Sequence, residues 1–165
     1  MIKKILLFLL VVLLVLQAFR PKKDNTGPTG LAANINNFVN VPSDVDQLLK
    51  TSCYDCHSNK TTYPWYSNIQ PVGWWLKDHI DEGKSGINFQ EFALVKSNTR
   101  YPTVAGRQDH KLEEIAEQVE TGEMPLKSYT LIHGESAIDK GQQKMIIDWV
   151  DSARAALKLS AAAQN

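Results

Sequence analysis

Cysteine is scarce in this chain: Cys53 and Cys56 are the only two in 165 residues. A structural zinc site would need four protein ligands, and no His-x3-5-His pair accompanies the two thiols. A disulfide closing so short a loop would remove little entropy from the unfolded chain. An excess of charge is missing as well. The 18 basic residues balance 18 acidic ones, so no basic footprint marks a nucleic-acid partner. No internal repeat occurs, and low complexity is confined to the Ala-rich tail. What remains is 43% hydrophobic, the composition of one ordinary globular domain.

Both cysteines fall in one pentapeptide, Cys53-Tyr54-Asp55-Cys56-His57. The spacing suits attachment of a c-type haem. Each thiol can add across one porphyrin vinyl group, and one helical turn offers both sulfurs to the same edge of the ring. The adjacent imidazole then meets the iron as an axial ligand. A thioredoxin-type pair competes for the Cys-x-x-Cys spacing, but it belongs in a strand-then-helix context and does not require the following His.

The first residues read as a targeting segment. Lys3 and Lys4 form a positive n-region, and Ile5 to Leu16 is unbroken apolar sequence. The run is short against the ~20 residues of a full membrane span and fits a signal-peptide core better. Leu16-Gln17-Ala18 is a poor cleavage signal, so residues 1–19 are expected to be a signal peptide or a membrane anchor. Either form exports the rest, to the periplasm or to the periplasmic face of the cytoplasmic membrane, where c-type haem is attached in bacteria. Residues 20–42 hold Pro21, Pro28, Gly27, Gly30 and several asparagines without periodicity, which predicts a flexible linker.

Helical signals fill the remainder, 43–159. Ser43 is expected to cap a helix bearing Val45, Leu48 and Leu49 that runs into the cysteines. Pro71 is expected to open another that Gly83 stops. The rings between Tyr63 and Trp75 are expected to wall the haem. A short helix is expected within Gly86 to Lys96, with Asn88 as its cap. Asp109 reads as the cap of an amphipathic helix with Leu112, Ile115, Ala116 and Val119 on one face, ended by Gly122. Ser136 with Asp139 reads as a capping box for the last helix, anchored by Trp149 across the first.

The sixth iron ligand has two candidates. Met124 lies in Gly122-Glu123-Met124-Pro125, a loop unsuited to core filling, and a thioether is a soft ligand for haem iron. His79 lies beside the Val72, Leu76, Ile80 stripe of its helix and could also face the haem. Met124 is favoured.

Several segments together resemble the small bacterial haem-binding domain family related to cytochromes c. They are CYDCHSN (53–59), YPWYSNI (63–69), PVGWW (71–75), NFQEF (88–92), GEMP (122–125) and YTLIH (129–133). The resemblance runs over about residues 43 to 155. It implies Cys53 and Cys56 as thioether sites, His57 as proximal ligand and Met124 as distal ligand. The expectation is an all-α, cytochrome c-like single domain of four or five helices around one haem c, with its iron on His57 and Met124. Its expected role is to pass electrons between redox partner proteins rather than to act as an enzyme. The alternatives are a haem-based gas or redox sensor and a peroxidase-type enzyme. No His/Arg pair is recognisably set as a distal acid–base couple for the latter.

Overall fold

Apolar periodicity becomes helix along most of the chain, and no strand forms among the described residues. A computed structural model describes residues 1–30 and 33–163. Its helices are α1 (Ile2–Leu16), α2 (Ile35–Phe38), α3 (Ser43–Ser52), α4 (Tyr54–His57), α5 (Val72–Gly86), α6 (Val104–Glu120), α7 (Lys127–Thr130) and α8 (Lys140–Ala163). The all-α expectation holds. Among the described residues the helices number eight, and six of them belong to the domain begun at Ser43 where four or five were expected, because α4 and α7 are single turns of four residues.

The main core joins α2, α3, α6 and α8. Ile35, Val45, Leu49, Leu112, Ile115, Ile146, Trp149 and Val150 are buried together, with Phe89 and Phe92 from the loop after α5. Trp149 anchors α8 as expected, and its indole N–H donates to the Asn40 carbonyl at 3.1 Å. However, α8 packs most extensively along α6, and only secondarily on α3. Arg154 of α8 fixes that pairing with two bonds to Asp109, 2.8 and 3.2 Å, and one to Glu113 at 2.9 Å.

Several expected boundaries shift, each for a visible reason. Asp109 is not a cap: α6 starts a turn and a half earlier, where Thr103 Oγ1 accepts from the Gly106 N–H at 3.0 Å. The capping box is Asp139 with Gln142, each side chain bonding the other's backbone N–H at 2.9 and 2.8 Å. Ser136 instead donates to the Thr51 carbonyl, pinning the turn before α8 onto α3. Gly83 does not stop α5, which runs on to Gly86. Within 86–96 only the 3-10 turn Phe92–Leu94 forms.

In the segment expected to be a flexible linker, 20–42, the described residues 20–30 and 33–42 are laid against the domain. Ile35 is fully buried, and its N–H donates to the Phe89 carbonyl at 2.8 Å. Asn25 exchanges two bonds with the Thr61 backbone, 3.0 and 3.1 Å, and the Pro28 carbonyl accepts from Asn59 at 2.9 Å. The asparagines that read as loop composition are the groups that tie the strap down.

α1 buries none of its residues. At 1.5 Å per residue it is about 22 Å long, and no helix among the described residues is long and apolar enough to cross a membrane.

Candidate functional site

Cys53 ends α3 and starts α4. Its carbonyl accepts from the N–H groups of both Cys56, at 3.2 Å, and His57, at 3.0 Å, so the pentapeptide closes into one tight turn. Cys53, Cys56 and His57 consequently line one cavity of about 400 Å³. Both thiols are free. Burial pushes the Cys53 thiol up to about 12 and the Cys56 thiol to about 11, with the Asp55 carboxylate adding to the latter. A redox dithiol needs at least one depressed thiol, so the thioredoxin reading has no electrostatic support here.

His57 is oriented from behind. Its Nδ1 lies 3.1 Å from the Ile87 carbonyl, which can only accept, so Nδ1 carries the proton and Nε2 keeps its lone pair. The Phe89 N–H donates to the His57 carbonyl at 2.8 Å, and the Phe89 ring meets the imidazole edge-on at 6.1 Å. Burial holds the imidazole below its usual pKa, against the opposing pull of the Ile87 and Gly83 backbone. The ring is a neutral donor at ordinary pH.

The other walls come from α5, α6 and the loop after α6. α5 reaches the motif because Gly83 has no side chain: a Cβ there would lie 2.8 Å from the Cys56 carbonyl oxygen. After Glu120, Gly122 adopts φ +72° and turns the chain back. The Glu123 and Met124 N–H groups then both donate to the Gln118 carbonyl, at 3.1 and 3.0 Å. That turn delivers Met124 to the cavity wall beside Ile115 and Val119. α7 follows at once, and its Tyr129 hydroxyl donates to Asp55 at 2.6 Å. Burial first, then this bond, raises the Tyr129 pKa. The Met124 loop is thereby tied to the Cys-x-x-Cys turn itself.

All four expected site residues, Cys53, Cys56, His57 and Met124, thus meet at one cavity. His79 lines it too, with Nδ1 held 2.8 Å from the Trp75 carbonyl. The aromatic wall is different from the expected one. None of the rings between Tyr63 and Trp75 lines the cavity; the rings that do are Phe89 and Tyr129. Trp65 and Trp75 are exposed, and Tyr66 bonds His133 Nε2 at 3.0 Å outside the cavity. Gly83 was read from sequence only as a helix stop, and Tyr129 and Asp55 were given no role, since their roles are contacts between segments distant in the chain.

A family model described as a haem-binding domain matches residues 11–152. The chain belongs to the haem-binding domain family. No curated protein and no solved structure matches it. The residues present fit haem. Two free thiols, one imidazole with its remote nitrogen already bonded, and one thioether converge on a cavity of the volume expected for a small-molecule site. Ser52 Oγ, buried in the same wall, has no partner among the described residues, which leaves one polar contact for a bound group.

Proposed function

We propose that this haem-binding domain is an exported monohaem c-type electron carrier with a cytochrome c-like fold. The convergence of Cys53, Cys56, His57 and Met124 on one cavity carries the reading. Cys53 and Cys56 would hold the haem through two thioethers, His57 Nε2 would be the proximal ligand, and Met124 the distal one. Bound haem supplies a one-electron couple. The protein's own contribution is to orient the imidazole through Ile87, to line the cavity with Phe89, Ile115 and Val119, and to close the sixth position. A closed position favours electron transfer over gas sensing or peroxide turnover. Lys3, Lys4 and the apolar run behind them support export to the periplasm or its membrane face, where redox partner proteins would meet the domain.

The test begins with haem staining after denaturing electrophoresis of protein made with a haem-ligation system. Pigment should stay with the wild-type chain, and a free pigment front would reject covalent attachment. Met124→Ala should keep its haem and become five-coordinate or water-ligated. Its reduction potential should fall, and its reduced form should bind carbon monoxide readily. His79 lines the same cavity, so an unchanged spectrum in Met124→Ala would transfer the sixth position to His79. Rapid carbon monoxide binding by the wild type would favour the sensor or enzyme instead.

A further inference from the structure

Beyond Lys3 and Lys4 in its first turn, α1 is apolar on every side and buries none of its residues, yet its domain end is fastened. The Gln17 side chain exchanges two bonds with the Gln70 backbone, at 2.9 and 3.2 Å. The Trp74 indole N–H donates to the Phe19 carbonyl at 2.7 Å. The helix therefore leaves the domain from a fixed point on the segment 65–75. The surface of that segment is unusually apolar for solvent. Trp65 is 74% exposed, and Ile69, Val72 and Trp75 are exposed with it. Val72 and Trp75 occupy the first turn of α5, next to both fastening residues.

Length says what covers this face. The apolar run of α1 from Ile5 to Leu16 is about 18 Å long, against about 30 Å of bilayer hydrocarbon. A helix without a polar side does not lie in the headgroup plane as an amphipathic one does. Too short to cross on its own, α1 buries its apolar length only where the groups at its two ends make up the difference. At the far end Lys3 and Lys4 can extend to the headgroups. At the near end the fastening draws the domain itself to the surface. There it presents two exposed tryptophans, the side chain suited to the boundary between lipid and water. Arg20, Lys22 and Lys23 are exposed immediately beyond α1 and match anionic headgroups.

We infer that the 65–75 face is a membrane-docking surface, with Trp65 and Trp75 at headgroup level and the domain held against the lipid in one orientation. The inference rests on residues 1–19 being retained in the membrane and does not depend on haem. Trp75 also contacts the His79 ring, 4.3 Å between centroids, and His79 lines the cavity, so docking brings the site close to the lipid.

The experiment is hydroxyl-radical footprinting of the full chain in phosphatidylglycerol-containing nanodiscs, read by mass spectrometry. Each residue's labelling is normalised to its rate in the urea-unfolded chain. The fold alone makes Trp65, at 74% exposure, less protected than Met145 on α8, at 37%. Docking reverses that order, with Trp65 protected several-fold more than Met145. If Met145 stays the better protected, docking is overturned while retention of α1 stands. N-terminal sequencing of protein from native membranes separates the two: a soluble product lacking residues 1–19 removes both, and either result leaves the haem-staining outcome untouched.

Discussion

A methyl group at position 83 would sit 2.8 Å from the Cys56 carbonyl oxygen, and that oxygen belongs to backbone that cannot swing aside. Gly83→Ala should therefore cost about 1–3 kcal/mol in urea unfolding, despite the better helix propensity of alanine. Gly86→Ala, with nothing within 4 Å of its added Cβ, should be near neutral. Equal effects would mean that α5 does not lie on the haem-motif turn. Sequence alone gave Gly83 the conformational role of a helix stop, because its steric role depends on a partner 27 positions away. That Cys53, Cys56, His57 and Met124 belong to one site was legible for the opposite reason: donor type and local spacing carry it. Met145 lies on α8 without being buried. It is 37% exposed, so Met145→Ala should cost well under the ~2–5 kcal/mol of a buried methionine.

Among the elements, the α6–α8 pair was readable as two amphipathic helices but not as the dominant contact of the fold. Leu112, Ile115 and Val119 fell on the buried face as periodicity requires. Asp109 misled because an acidic residue before an apolar stripe signals a cap, whereas here it reaches across to Arg154. The hydrogen bond from Arg154 holds the Asp109 carboxyl below the usual carboxylate range, against a smaller opposing effect of burial. A carboxylate with a depressed folded pKa stabilises fully above its unfolded value near pH 4 and loses that contribution as pH falls through the folded value. Arg154→Met should then lower stability by about 1 kcal/mol at neutral pH. The difference from wild type should shrink below about pH 4. A deficit that persists unchanged to acid pH would assign the loss to packing by the arginine stem.

For the whole molecule, the main departure from sequence expectation is the strap, whose described residues are 20–30 and 33–42. Proline, glycine and asparagine predict a tether only when their polar groups face water, and here Asn25, Pro28 and Ile35 find partners in the domain. Ile35→Ala should cost about 3 kcal/mol in urea unfolding, as for any buried isoleucine; a tether would give no change. The strap also sets reach. Left free, a chain of that length would let a domain roam about 25 Å from its anchor. Fastened at Gln70, Trp74, Thr61 and Asn59 in turn, it gives up that search volume. If α1 is held in the lipid as inferred above, a membrane-bound electron partner would arrive by lateral diffusion and meet the cavity at a constant height and angle. Encounter with such a partner would be a two-dimensional problem, its rate set by the mobility of the partner rather than by the swing of the domain.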